Sequence, residues 1–334
     1  MEICAGAGGQ ALGLEQAGFG HEAVIEIDTD ACETLRLNRG DTWKVIEGDV
    51  AEVDGRAFAQ IDLLAGGVPC PPFSIAGRQL GRDDDRDLFP QALRLVAESR
   101  PRAVLLENVR GLATARFDGY REQVLDRLHE LGYQTWWDLV HASEHGIAQL
   151  RPRFVLVALR QPWAAWFRWP QPRPGPVPTV GSVLADLMAS GGWPGAADWS
   201  RRAAGIGPTI VGGSKKHGGP DLGPTRARAA WRGLGVDGLG IADAAPGPLF
   251  PPTGLPKLTV AMVARLQGFP GSWEFSGRKT AAYRQVGNAF PPPVARALGQ
   301  AIAAALRQQG DRQPAGHEYG HHDPGLAAST ASLP

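Results

Sequence analysis

Cys70 sits in a loop of unusual composition, Val68-Pro69-Cys70-Pro71-Pro72-Phe73-Ser74, directly after the glycine pair Gly66-Gly67. A cysteine held between prolines is a poor core residue and a plausible nucleophile. Its free thiol ionises near pH ~8.5, so an electropositive neighbour must favour the thiolate. Arg151 and Arg153, in Gln149-Leu150-Arg151-Pro152-Arg153, can supply that charge. Glu107, in Glu107-Asn108-Val109, adds a carboxylate for acid–base or electrostatic work. A second set of residues suits a ligand. Ala5-Gly6-Ala7-Gly8-Gly9 precedes the helical stretch Gln10–Ala17, and glycines there let a ligand approach the backbone at a helix N-terminus. Glu26 follows Gly6 by twenty residues and closes the next apolar run, a spacing that suits a ribose diol. NAD sites, S-adenosylmethionine sites and ligand-free tight turns all share this part of the pattern.

The elements that must position these groups show as hydrophobic periodicity. Short apolar runs at Ala23–Ile25, Val45–Ile46, Ile61–Ala65, Val104–Leu106, Thr135–Val140 and Phe154–Leu159 alternate with helical patterns. Leu88, Phe89, Ala92, Leu93 and Val96 form one helical stripe; Val124, Leu128 and Leu131 form another. Such alternation predicts an α/β domain, a doubly wound and mostly parallel sheet with helices on both faces. In that architecture the carboxyl ends of parallel strands share one edge, where ligands bind. Gly6–Gly9, Glu26, Asp49, Cys70 and Glu107 all follow strand ends and are predicted to converge on one crevice.

Residues 161–256 differ, with 18 Gly and 15 Pro and no sustained periodicity. Trp193, Trp199, Trp231, Ile206, Ile210 and Val211 are scattered through them, and solvated linkers rarely carry tryptophan. A smaller, loop-rich second domain is therefore expected rather than disorder. Regular pattern returns at Leu258–Phe269 and Pro291–Leu306, where Val294, Leu298 and Ile302 make a stripe able to pack back on the first domain. The tail, with His317, His321 and His322, reads as solvated, and no metal site is expected.

With 334 residues, 43% hydrophobic and 20% charged, the chain is not wholly disordered. No apolar run approaches the roughly 18–20 residues that cross a bilayer, and no basic n-region with an apolar h-region opens the chain. Cys4, Cys32 and Cys70 form no CxxC pair, which argues against a disulfide framework or cysteine zinc site and for a reducing, cytoplasmic location. The net charge of zero hides a division. Residues 1–150 hold 14 basic and 25 acidic side chains, residues 151–334 hold 20 and 9, so the second half is the one suited to a polyanion.

Five segments occur in order: Pro69-Cys70-Pro71-Pro72-Phe73-Ser74, Glu107-Asn108-Val109, Gln149-x-Arg151-x-Arg153, Arg265-Leu266-Gln267-Gly268-Phe269-Pro270 and Gln285-Val286-Gly287-Asn288-Ala289. With them the chain resembles the cytosine-C5 DNA methyltransferase family of bacterial modification enzymes, from residue 1 to about residue 307. The resemblance implies a Rossmann-like, S-adenosylmethionine-dependent fold. Residues 1–165 would be the catalytic and cofactor-binding domain and 166–275 a small target-recognition domain. Residues 276–307 would be a hinge and a C-terminal helix returning to the first domain, and 308–334 a disordered tail. It also implies a nucleoid-associated monomer that acts on double-stranded DNA, as an orphan or beside a companion restriction endonuclease.

The resemblance also implies residue roles. Cys70 would add to C6 of a flipped-out cytosine, Glu107 would hydrogen-bond N3 and the amino group, and Asn108 would hold the loop geometry. Arg151 and Arg153 would orient the base and the cysteine loop. Ala5, Gly6, Gly8, Gly9, Glu26, Ile27, Asp49, Val50, Pro69, Leu88 and Asn288 would hold S-adenosylmethionine, with Glu26 on the ribose and Asp49 on the adenine amino group. Ser74, Gln79 and Arg86 would meet DNA, in a segment, Ile75–Asp87, expected to close over the base. Lys215 and Lys216, between glycine pairs, and Arg226 and Arg228 suit phosphates or guanine edges. Cytosine C5 is a weak nucleophile until a thiolate adds at C6. Glu107 is accordingly expected to be protonated or to share a proton in a mostly apolar crevice. Glu2-Ile3-Cys4 occupies the place of the family's usual aspartate-leucine-phenylalanine, so Cys4 replaces an aromatic expected on the adenine. Either the start lies upstream or cofactor affinity is reduced.

Three rival classes differ in what they require. A dinucleotide oxidoreductase needs the glycine loop and Glu26 but not Cys70 between prolines. A tRNA methyltransferase of the same family usually has a much smaller variable region than these 96 residues. A non-catalytic DNA-binding descendant would not need Cys70, Glu107 and Arg153 together.

Overall fold

The computed structural model describes residues 1–69, 87–213 and 219–308. Its strands are β1 (Glu2–Ile3), β2 (Val24–Glu26), β3 (Val45–Glu47), β4 (Leu63–Gly67), β5 (Ala103–Val109), β6 (Tyr133–His141) and β7 (Pro152–Arg160). The first four helices, α1 (Gly9–Gln16), α2 (Thr29–Arg39), α3 (Phe89–Ser99) and α4 (Asp118–Glu130), fall between strands. Then follow α5 (Val180–Ala189), α6 (Ala196–Arg202), α7 (Thr225–Gly233), α8 (Val260–Leu266), α9 (Lys279–Asn288) and α10 (Pro292–Leu306).

One sheet holds the seven strands in the order β3-β2-β1-β4-β5-β7-β6. Pairing is parallel from β3 through β5, and β7 runs antiparallel to both β5 and β6. The expected mostly parallel, doubly wound sheet is present, and each apolar run became a strand. Ala103-Val104-Leu105-Leu106 is buried throughout, as a central strand covered on both faces must be. On one face Leu64, Leu106 and Leu156 pack with Phe89, Leu95 and Leu128 of α3 and α4. On the other, Leu105, Val155 and Val157 pack with Leu14 of α1 and with Val294, Leu298 and Ile302, the expected stripe of α10.

Residues 161–256 are more regular than their composition suggests, because α5, α6 and α7 lie within them. Thr179 and Ser182 form a capping box that starts α5. A Cβ at Gly181 would stand 2.0 Å from Ser200 O, so only glycine lets α5 and α6 approach so closely. Trp199 and Trp231 are fully buried, and Trp199 Nε1 donates to Gly235 O at 3.0 Å. This core runs without a break into Leu12 of α1, Leu35 of α2, Trp43 and Trp273. The tail expected over residues 308–334 lies outside the described residues from residue 309 on.

Candidate active site and cofactor crevice

The carboxyl ends of β1, β2, β3, β4 and β5 open on a crevice of about 480 Å³. Ala5, Gly6, Glu26, Ile27, Asp49, Val50, Pro69, Leu88 and Asn288 line it, as does Glu107. Gly6 has φ +53°, and a Cβ there would meet nothing within 4 Å, so the turn requires glycine and leaves its outer side open. The Glu26 carboxylate is already fixed: Oε2 accepts from Gly6 N at 2.7 Å, and Oε1 accepts from Ile27 N and Asp28 N at 2.9 Å each. Asp49 Oδ1 accepts from Ala51 N at 2.9 Å and so caps the short helical turn Val50–Glu52.

Gly8 and Gly9, also expected to hold a ligand, serve packing instead. Gly8 has φ +79° and starts α1; a Cβ there would lie 2.7 Å from Leu35 Cδ2. A Cβ at Gly9 would lie 2.3 Å from Phe290 O. Neither lines the crevice, which α9 and the residues after it close through Arg284, Gln285, Ala289 and Phe290. The Gln285–Ala289 motif falls on this wall, although only its Asn288 was expected to hold the ligand. Arg284 lies 3.7 Å from Asp28 across the crevice, and Gln285 accepts from Thr34 Oγ1 at 2.6 Å. Glu2, Cys4 and Gln10 also line it. Cys4 holds φ +51°, a left-handed conformation unusual for a side chain with a Cβ. Burial pushes its thiol up, and the carboxylates of Glu26, Asp49 and Glu2 add to the effect. Cys32 is pushed up to about 12, mainly by burial, then by Glu47 and Glu26.

Glu107 and Arg153 meet at the inner end of the same edge. Arg153 Nε lies 2.6 Å from Glu107 Oε1, and each side chain is 12% exposed. Glu107 is the register partner of Gly67, and a Cβ at Gly67 would stand 3.5 Å from Glu107 Oε2. The carboxylate therefore has a guanidinium partner rather than purely apolar surroundings. Asn108 faces the start of the cysteine segment: its Nδ2 donates to Val68 O at 2.8 Å, while its Oδ1 accepts from Val109 N at 2.8 Å.

Arg151 departs from expectation. It is fully buried and does not line the crevice; its guanidinium donates to Ile210 O at 2.6 Å, Gly287 O at 2.9 Å and Ala289 O at 2.7 Å. Arg151 precedes β7, and the strand geometry that aims Arg153 at Glu107 does not extend to it. Of the expected DNA contacts, Arg226 is exposed on α7, whereas Arg228 lies 3.9 Å from Asp221 and donates to Thr225 Oγ1 at 3.3 Å. Cys70, Ser74, Gln79, Arg86, Lys215 and Lys216 lie outside the described residues, as does the closing segment Ile75–Asp87 except for Asp87. Among the described residues no helix is long and apolar enough to cross a membrane.

The chain matches the family of C-5 cytosine-specific DNA methylases over residues 1–203 and 221–304. It is 59% identical over 316 residues to the Type II methyltransferase M.NaeI of Lentzea aerocolonigenes, covering 93% of this chain and 76% of that protein. It is 52% identical over 312 residues to the Type II methyltransferase M.NgoMIV of Neisseria gonorrhoeae, covering 92% of this chain and 98% of that protein. The fold is similar to that of the S. pombe Dnmt2 methyltransferase, with a TM-score of 0.61 at 18% identity over 92% of this chain and 98% of that one. With the family's motifs in order along a sheet that brings Glu26, Asp49 and Glu107 to one crevice, the chain belongs to the C-5 cytosine-specific DNA methylases and is a DNA cytosine-5-methyltransferase.

Proposed function

We propose that the crevice binds S-adenosylmethionine beside a cytosine turned out of double-stranded DNA, and that Cys70 attacks that base. The observation that carries this reading is the convergence of three features at one strand edge. The Glu107–Arg153 pair lies beside Gly67, and Asn108 holds Val68, two residues before Cys70.

The crevice residues fit the cofactor. Gly6 leaves open space where any other residue would place a Cβ. Ile27, Val50, Pro69 and Leu88 give apolar walls for an adenine ring, with Asp49 at hand for its amino group. Glu26 accepts three backbone amides, which leaves about one of a carboxylate's roughly four acceptor positions for a ribose hydroxyl. When bound, S-adenosylmethionine supplies a sulfonium-borne methyl electrophile.

The protein's own groups prepare the base to accept that methyl. The Cys70 thiolate forms a bond to C6, and the ring electrons move toward C5, which becomes nucleophilic. A proton shared between Glu107 and N3 offsets the charge that builds on the ring, Glu107 accepts from the amino group, and Arg153 holds the side chain in place. Once C5 carries the methyl, a base removes its remaining proton and the C6–S bond breaks, restoring Cys70. Burial and nearby carboxylates hold the Cys4 and Cys32 thiols up, which disfavours either of them as a thiolate nucleophile.

Residues 1–165 would then be the catalytic domain, 166–275 the target-recognition domain with Arg226 and its neighbours toward DNA, and 276–307 the return. The names of the two relatives support a role as the modification partner of a restriction endonuclease. The test is duplex DNA carrying 5-fluorocytosine at the methylated position, where fluorine blocks the final proton loss. A covalent adduct is expected with the native enzyme, and Cys70→Ala should bind the duplex yet lose both adduct and methyl transfer. An adduct that survives in Cys70→Ala, or maps to Cys4, defeats the assignment. Bisulfite sequencing of DNA from expressing cells gives the target sequence.

A further inference from the structure

We infer that Arg151 is a positioning residue that joins the cofactor crevice to the recognition region by capping the C-terminus of α9. The inference rests on the preceding reading of the crevice as the cofactor site and of residues 166–275 as the DNA-facing part.

Burying a guanidinium is costly, and an apolar side chain of similar volume would fill the same space. Arg151 is nevertheless fully buried, and its acceptors are three backbone carbonyls drawn from both sides of a junction. Gly287 and Ala289 lie at the end of α9, where carbonyls lack intrahelical donors and carry the negative end of the helix dipole. A cation is favoured there. Ile210 belongs to the second region. Gln267 Nε2 adds a donor to Val286 O at 2.7 Å, and Gln149 links the set by donating to Gln267 Oε1 at 2.9 Å while accepting from Ile210 N at 2.9 Å. The joint is thus a directed hydrogen-bond network in a buried interior, where a shift on one side leaves carbonyls unpaired on the other.

α9 faces both sites. Arg284, Asn288 and the adjoining Ala289 wall the crevice. From the same helix Tyr283 Oη donates to Asp221 O at 2.5 Å, and Asn288 Nδ2 donates to Gly213 O at 3.1 Å. Backbone meets backbone beside them, since a Cβ at Gly287 would lie 2.5 Å from Gly212 N. Arg151 therefore holds the helix end whose two sides would contact cofactor and the DNA-facing loops, and occupancy of one site should be felt at the other.

The experiment measures dissociation constants for S-adenosylhomocysteine with and without a methylatable duplex, and for that duplex with and without S-adenosylhomocysteine. In the native enzyme each ligand is expected to tighten the other about tenfold, and linkage requires the two factors to be equal. Arg151→Gln should bring both factors to within about twofold of one, and Arg151→Lys, which keeps the charge but not the planar fork, should restore only part of the difference. A purely structural role would lower the melting temperature and leave the factor at its native value, and that result overturns the inference. Should Arg151→Gln fail to fold, Tyr283→Phe decides: it removes the tie to Asp221 with little change in volume, and a factor reduced at least threefold supports the coupling, whereas an unchanged factor rejects it. Native enzyme that binds both ligands independently also rejects it. Native enzyme that binds neither ligand refutes the cofactor and DNA reading itself, and the inference with it.

Discussion

The crevice edge of the sheet and the stretch 161–256 both bring polar groups together, but they do so by different physical means. At the crevice edge short strands end in register, so Glu26, Asp49, Gly67 and Glu107 arrive at one line because their strands are parallel neighbours. In 161–256 three short helices are held by fully buried Trp199 and Trp231 and by glycines whose missing Cβ lets backbones touch. The first region is ordered by local periodicity, the second by the shapes of a few large side chains. The contrast places the order of the second region on a few large side chains, Trp199 and Trp231 foremost.

The largest expected effect tests that dependence. Trp199→Ala should lower unfolding stability by about 3–5 kcal/mol in urea titration, the cost of emptying a fully buried aromatic site. A loss below about 1 kcal/mol would show that 161–256 is loop without a packed interior. Next comes a contrast within the glycine loop. Gly9→Ala drives a methyl toward Phe290 O, 2.3 Å away, and should cost about 1–3 kcal/mol of stability with a smaller effect on cofactor affinity. Gly6→Ala, with open space but φ +53°, should show the reverse ranking, roughly 1 kcal/mol in stability and a marked loss of S-adenosylhomocysteine binding. Equal profiles for the two would end the division between packing and ligand glycines.

At neutral pH a further effect is silent and shows only in alkali. The Cys32 thiol rises from 9.0 to about 12, so above pH 9 the unfolded chain releases a proton that the folded chain keeps. Its stability contribution is complete below pH 9 and falls as pH rises toward about 12, by about 1.4 kcal/mol per unit at the steepest. Cys32→Ala should flatten that part of the stability–pH curve; an unchanged slope would assign it to other groups. The smallest expected effect separates two arginines of α7. Arg226→Ala should reduce the salt slope of DNA binding by about 0.9, one phosphate contact, while Arg228→Ala, already engaged with Asp221, should change it less. A larger change from Arg228→Ala would reverse their roles.

The legible part of the site follows from where strands end. Glu26, Asp49 and Glu107 could be placed on one edge because alternating apolar runs and helical stripes imply parallel strands. Helices α5 to α7 were not legible, since Gly and Pro break the helical stripe and each helix is short, so capping at Thr179 and burial of Trp199 and Trp231 decide what periodicity does not. Gly8 and Gly9 read the same as Gly6 in a string of letters. Their different roles depend on Leu35 and Phe290, distant in sequence, occupying the space where a Cβ would go.

By itself the sequence determined the sheet, the order of the family's motifs and the identity of the charged groups at the strand ends, because strand and helix periods are local properties of the chain. Only the tertiary structure decided where equally spaced polar residues point. Arg151 and Arg153 stand two residues apart, yet Arg153 lies within β7 and meets Glu107, while Arg151 lies before it and turns to the end of α9 and Ile210. The cause is the set of acceptors each one finds: a carboxylate on the neighbouring strand for one, unpaired helix-end carbonyls from 136 and 138 residues away for the other.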